Sequence, residues 1–335
     1  MKSIILFMAY YGKLPNYFPL WLKAVENNST VDFCVISDLI NDTYILPENV
    51  RVVDLPYEEF KERIKKSFPF KISISNLGRI SQFRPAFAYI FPDIVDGYDY
   101  WGFIECDLIP GNIRKFITDE VLENNQKIFK LGHFQIFENN KYMNTLFMQH
   151  SLSALSYKYA FKHNILFFEE LLGMHNIACS KNIKTFTNNV FSDVLSAKYM
   201  FTTSQYGYPD ISSKECIFAY NGGDLFRYYC TNGELICEET LYVHLQKRNM
   251  KYETDNSNKY LIIPNSFANY KEVDKLLFSK VIEECKHGEV EYSKMMNDKF
   301  QNDAKKRNHE LCWWWLRVIR LRIRLFGGID LDGKR

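Results

Sequence analysis

The sequence predicts an α/β protein: a Rossmann-type mixed sheet flanked by helices, with a helical tail at the C-terminus. Three observations carry this. Short apolar runs alternate with segments of helical spacing through the first half, the runs stop on acids or glycine, and the chain closes on a basic amphipathic stretch. Strands of that kind deliver their ligand-binding groups at their carboxyl ends.

The elements follow in order. Residues 4–9 form a short apolar run, Gly12 and Pro15 punctuate a turn, and residues 17–27 carry Phe18, Leu22 and Val25 at helical spacing. Apolar runs at 31–38 and 50–55 make the opening β-α-β-β, with Tyr10, Tyr11, Gly12 and Asp38 at strand ends. Residues 57–67 read as a charged helix, 80–91 as another despite Pro85, and 98–107 as a strand. Helix is expected over 112–124, strand over 127–131, a turn and strand over 132–139, and helix over 145–162 and from 167. From 215 to 248, runs at 217–220, 225–230 and 235–237 separated by Asn221-Gly-Gly-Asp224 and Asn232-Gly233 predict hairpins.

Composition fits a soluble globular chain of 335 residues, 47% hydrophobic and 24% charged, enough for one large domain or two smaller ones. A net charge of +2 gives no global case for nucleic-acid binding, so no nucleic acid is expected among its partners. Eight scattered cysteines without a C-x-x-C pair show neither zinc spacing nor a disulfide framework, which points to a reducing, cytoplasmic setting. The N-terminal apolar run is short and lacks a small-residue cleavage site, so it is read as a first strand. No window reaches the ~20 apolar residues of a membrane span.

Glu105 and Asp107 are the sharpest chemical signal. One residue apart where the run 98–107 stops, they would share a face if the strand continued through them. Hard divalent cations such as Mg²⁺ or Mn²⁺ take oxygen ligands and share their shell with substrate phosphates, so two carboxylates suffice. A strand ending in solvated acids is the other reading.

The surrounding blocks resemble the bacterial glycosyltransferases of capsule and O-antigen gene clusters. The resemblance spans roughly residues 2 to 250. It rests on Tyr11-Gly-Lys-Leu-Pro-Asn-Tyr-Phe-Pro-Leu20, Phe83-Arg-Pro-Ala86, Gly97-Tyr-Asp-Tyr-Trp-Gly102, the stretch from Asp107-Leu-Ile-Pro-Gly111 to Glu120, Leu131-Gly-His133, and the stretch Tyr242 to Arg248. It implies a GT-A-like fold over residues 1–250, with a nucleotide-sugar half (1–110) and an acceptor half (111–250). Beyond it come a helical extension (251–304) and a basic amphipathic tail (305–335). The family pattern is Asp-x-Asp, and Glu105 stands at its first position.

By the same resemblance, Asp107, Glu105 and His244 would hold Mn²⁺ or Mg²⁺ against the donor diphosphate. Tyr10, Tyr11, Gly12, Asp38, Arg84, Lys247 and Arg248 would bind the nucleotide sugar, with Asp38 on the base or ribose, while Arg79 is a weaker candidate for the diphosphate. Glu170, with Glu169, would take the acceptor proton. Each has a plainer reading: a surface histidine, a basic strand end, or acids favoured in a helix's first turn. The implied reaction moves a sugar from a UDP-sugar to a hydroxyl of a lipid-linked surface polysaccharide intermediate. A sugar nucleotidyltransferase and a catalytically silent scaffold are the alternatives.

The tail, Cys312 to Phe326, clusters Arg317, Arg320 and Arg324 opposite Trp315, Leu316, Ile319, Ile323 and Phe326 on a helical wheel, with Arg322 breaking the pattern. Tryptophans and arginines on one amphipathic helix suit a membrane interface, which predicts peripheral attachment to the inner face of the cell membrane. The alternative is a helix docked on the catalytic domain or on a second copy.

Overall fold

The computed structural model describes residues 1–163, 167–203 and 214–307, together with residues 318, 320–323 and 325. In chain order its strands begin with β1 (Ile4–Ala9), β2 (Asp32–Ser37), β3 (Val50–Asp54), β4 (Tyr100–Ile104), β5 (Leu108–Pro110), β6 (Lys127–Ile128), β7 (Phe134–Glu138) and β8 (Thr185–Phe186). There follow β9 (Ser192–Asp193), β10 (Cys216–Asn221), β11 (Asp224–Thr231), β12 (Glu234–Glu239), β13 (Tyr242–His244), β14 (Lys251–Glu253), β15 (Lys259–Ile263) and β16 (Ser266–Asn269).

A mixed seven-stranded sheet in the order β3-β2-β1-β4-β7-β6-β8 forms the centre. β3, β2, β1 and β4 run parallel, and β7 pairs antiparallel to β4 and β6. Alternation along β1 explains why both sheet faces are covered. Ile5 and Phe7 enter one apolar core with Phe60, Phe87 and Trp101, while Ile4, Leu6 and Met8 enter another with Phe18, Trp21 and Ile136.

Helix α1 (Phe18–Glu26) begins with proline in its first turn and is buried along most of its length. It turns Phe18, Trp21, Leu22 and Val25 to the central sheet, and Leu20 and Ala24 to a third core. That third core belongs to a second, mainly antiparallel sheet, β12-β11-β10-β15-β16-β14. The hairpins expected between 215 and 248 are β10-β11-β12.

Several expected helices are shorter or of another kind. Residues 77–86 wind as a 3₁₀ helix followed by one α-turn, Phe87–Ile90. Pro85 accounts for this, because it lacks an N–H and its ring crowds the preceding turn. The expected helix over 112–124 is split into Ile113–Phe116 and Asp119–Asn124, each with its own cap, Asn112 and Thr118. The helix expected over 145–162 is a 3₁₀ turn, Leu146–Met148, and a separate helix, Tyr157–His163.

Residues 251–304 are not helical throughout. β14, β15 and β16 complete the second sheet before the helix Lys275–Arg307 begins. Phe267 and Ile262 enter the third core, so burial of an alternating pattern decides for strand there. The tail residues Trp313–Trp315, Leu316, Arg317, Ile319, Arg324 and Phe326 lie outside the described residues.

Candidate functional site: an acid and histidine centre at the sheet's carboxyl end

β4 stops at Ile104, so Glu105 and Asp107 occupy the turn between β4 and β5 rather than the strand itself. They nevertheless reach one place, because a three-stranded sheet, β5-β13-β9, brings two distant segments to that turn. Its register sets His244 opposite Leu108 on one side and Asp193 on the other. His244 Nε2 lies 3.3 Å from Glu105 Oε2 and 3.5 Å from Asp107 Oδ2, while Nδ1 lies 2.9 Å from Asp193 Oδ1.

The loop after β13 secures Asp107. Leu245 N–H donates to its carbonyl at 2.8 Å and Lys247 N–H to its carboxylate at 2.8 Å. This geometry bends the backbone through Gln246 and Lys247 at φ 55° and 56°, an uncommon left-handed pair for residues with side chains. Gln246 Nε2 donates to Asp193 Oδ1 at 2.6 Å. Gln246 therefore lies in a tight turn after β13 and serves Asp193.

These groups line a cavity of about 850 Å³ at the carboxyl ends of β1 and β4. Tyr10, Tyr11 and Gly12 line it, as do Arg84, Glu105, Asp107, Glu169, Glu170, His244 and Lys247. Gly12, at φ 102°, makes a turn that a side chain would strain. Gly132 lets the chain pass beside the acids, since a Cβ there would meet Glu169 Cγ at 2.7 Å and Glu170 Cγ at 2.8 Å.

Three expected residues stand elsewhere. Asp38 is exposed and accepts the Tyr57 N–H at 3.2 Å, at the first turn of helix α2 (Tyr57–Lys66). A carboxylate is favoured at that position by the helix dipole alone. Arg248 is buried away from the cavity, where its guanidinium donates to Leu195 O at 2.6 Å, Tyr199 O at 3.0 Å and Asn265 Oδ1 at 2.9 Å, and also to Lys198 O. It ties the β9 region to the second sheet. Arg79 is buried in the 3₁₀ segment and is not among the lining residues.

Electrostatics differ from group to group. Burial pushes Glu105 up, but the Arg84 guanidinium at 2.6 Å and His244 outweigh it and hold the carboxyl well below its usual range. Burial would drive His244 neutral, yet Asp107 and Asp193 raise it well above an ordinary histidine. His133, whose ring lies 4.4 Å from that of His244, goes the other way, to about 4, through burial and its cationic neighbour. Burial raises Glu169. Glu170 is pushed to about 8 by burial, Glu169, Glu105 and Asp193.

Glu105, Asp107 and His244 each present one ligand atom, all within 4.8 Å of one another, and His133, Asp193 and His244 form a second such group. Two carboxylate oxygens and an imidazole nitrogen suit Mn²⁺ or Mg²⁺. Asp193 behind His244 completes the carboxylate–histidine arrangement that orients metal-binding imidazoles. Asp193 was not singled out from the sequence. The signal available was an acid inside the apolar run Val190-Phe-Ser-Asp-Val-Leu195, the same pattern that marked Glu105.

Fold and site together define a mixed α/β protein with an acid–histidine centre at the carboxyl end of its central sheet. The chain belongs to the Family of unknown function (DUF6625), matched over residues 6–271. No curated protein matches it. Among solved structures, a complex of the galactosyltransferase LgtC with donor and acceptor sugar analogs is 13% identical at a TM-score of 0.33, covering 57% of this chain and 75% of that one. The glycosyltransferase GlyE of Streptococcus pneumoniae TIGR4 is 13% identical at a TM-score of 0.26, covering 43% of this chain and 37% of that one. Its apo form is 10% identical at 0.30, covering 56% and 45%. Likenesses this distant carry no argument about function, which rests on the site.

Proposed function

We propose that the chain is a glycosyltransferase that moves a sugar from a nucleoside diphosphate donor to an acceptor hydroxyl with the help of a divalent metal. The observation that carries this reading is the meeting of Glu105, Asp107 and His244, from segments about 140 residues apart, in one cavity beside Lys247 and the glycine turn after β1. Bound there, Mn²⁺ or Mg²⁺ would offset the charge that gathers on the departing diphosphate. Asp107 and Glu105 would hold it, and His244 would be oriented by Asp193.

The remaining work falls to side chains. Arg84 fixes Glu105 at 2.6 Å and donates to Gly132 O at 2.9 Å, so it positions that carboxylate at the cavity wall. Glu170, pushed up to about 8 by burial and its acidic neighbours, is in its ionised form a stronger base than an ordinary carboxylate and would receive the acceptor proton. In that step the bond between the anomeric carbon and the diphosphate oxygen breaks, and its electron pair leaves with the nucleoside diphosphate. The acceptor oxygen bonds to the anomeric carbon and its proton passes to Glu170.

Donor hydrolysis with Mn²⁺ tests the reading. Wild type is expected to release nucleoside diphosphate, and Asp107→Ala to lose about 10³-fold of that rate. Release of pyrophosphate from a nucleoside triphosphate instead would assign a nucleotidyltransferase, and no nucleotide-sugar binding at all would leave a scaffold.

The finer reading takes a UDP-sugar as donor and a lipid-linked surface polysaccharide intermediate, of the capsule or O-antigen kind, as acceptor, at the inner face of the membrane. Among the described residues no helix is long and apolar enough to cross a membrane. Leu321 and Leu325, four residues apart, are 56% and 66% exposed, which supports an apolar contact with lipid. Co-sedimentation with anionic liposomes should fall when residues after Glu310 are deleted, and unchanged sedimentation would remove the membrane from the proposal.

A further inference from the structure

We propose that Arg320, carried by the C-terminal segment, is a ligand-binding residue of the cavity and contacts the phosphate oxygens of the molecule bound there. The inference rests on the reading of the cavity as a diphosphate site, and it adds a residue far beyond the matched residues 6–271.

Two observations place Arg320. It lines the same cavity as Tyr10, Asp107, His244 and Lys247, half-buried. Three residues on, Ile323 is only 3% exposed and belongs to the apolar core that contains Phe7, Phe87 and Trp101. Residues 320–323 are helical, and positions three apart are neighbours on a helix surface, so Arg320 lies beside Ile323 rather than opposite it as the helical wheel predicted. Ile323 is thus an anchor in the main core that fixes the direction in which Arg320 points.

Charge explains what the arginine is for. Five carboxylates line the cavity, Glu105, Asp107, Glu169, Glu170 and Asp193. Arg84 pairs with one of them, Glu105. A diphosphate entering so acidic a cavity gains from each further cation, and a guanidinium offers paired donors matched to phosphate oxygens. Arg320 supplies one from a segment more than 70 residues past His244, so the phosphate site is complete only with the C-terminal segment docked. Ile323 is a positioning residue, because it acts through Arg320.

The test titrates UDP and, separately, inorganic pyrophosphate into the full chain with Mn²⁺ by calorimetry. Arg320→Ala should weaken both by about 10- to 100-fold, the usual worth of a charge-assisted hydrogen bond, with partial recovery in Arg320→Lys. Ile323→Ser should weaken both similarly, and the double variant should be no weaker than either single one, since the two act as a unit. Unchanged thermal unfolding of Arg320→Ala keeps the result from being one of folding. Equal affinity of wild type and Arg320→Ala would overturn the inference and leave the function standing. Arg320-dependent binding of pyrophosphate with no binding of UDP would keep the anion site and overturn the nucleotide reading. Binding of neither by wild type would overturn both.

Discussion

At the end of β4, Glu105 and Arg84 lie 2.6 Å apart, largely but not fully shielded from solvent, and both keep their charge; on β6 of the same sheet, Lys127 is fully buried and its ammonium is pushed down to about 7. The first pair sits in a cavity ringed by further ionisable groups that sustain one another. Lys127 has its Nζ donated to Phe129 O and lies over the Phe137 ring at 5.4 Å, with no carboxylate paired to it among the described residues. Beside it, burial and the two lysines Lys127 and Lys130 push His175 to about 3. Desolvation acts on both regions alike. What differs is whether opposite charge is supplied, as it is at the end of β4 and is not around Lys127.

Breaking the acidic cluster should cost most. Arg84→Met leaves Glu105 buried beside other acids and should destabilise the fold by about 3 kcal/mol, because an uncompensated buried charge is worse than none. Adding Glu105→Gln should recover much of that loss, and chemical denaturation of the single and double variants measures both.

Lys127→Met should do the reverse and stabilise, by about 2 kcal/mol at pH 6. The sign follows from its lowered value. Between about 7 and the ordinary 10.5 the unfolded chain binds more protons than the folded one, so wild-type stability climbs with pH across that window. The advantage of methionine should therefore be largest below pH 7 and fade by pH 10, as thermal melts at the two pH values would show. A constant advantage would mean that Lys127 is not neutralised by burial.

Asp38→Asn marks the low end. Lying outside the cavity at the start of α2, it should cost under about 1 kcal/mol of stability and leave nucleotide affinity unchanged. A tenfold loss of affinity would return Asp38 to the site.

The contrast also shows what a sequence can disclose. β1 to β4 and α1 were legible because their apolar patterns are local, and so was Glu105/Asp107, because an apolar run ends on them. His244 was legible only through resemblance. Asp193 was not, since β9 is two residues long and gains its meaning from register with β13. Arg248 was misplaced because a cation next to a candidate ligand looks like a phosphate ligand, while its role as a carbonyl clamp depends on Tyr199 and Asn265 in distant segments. β14 to β16 were hidden by mixed polarity, and the second sheet's core decides them.

The central claim is that Glu105, Asp107 and His244 form one metal-dependent diphosphate site. Calorimetric titration of UDP into wild type with and without Mn²⁺, repeated on Asp107→Ala and His244→Ala, addresses it most directly. Binding that requires Mn²⁺ in wild type and falls by at least about tenfold in both variants is the predicted result. Binding that ignores Mn²⁺, or survives intact in either variant, would contradict it.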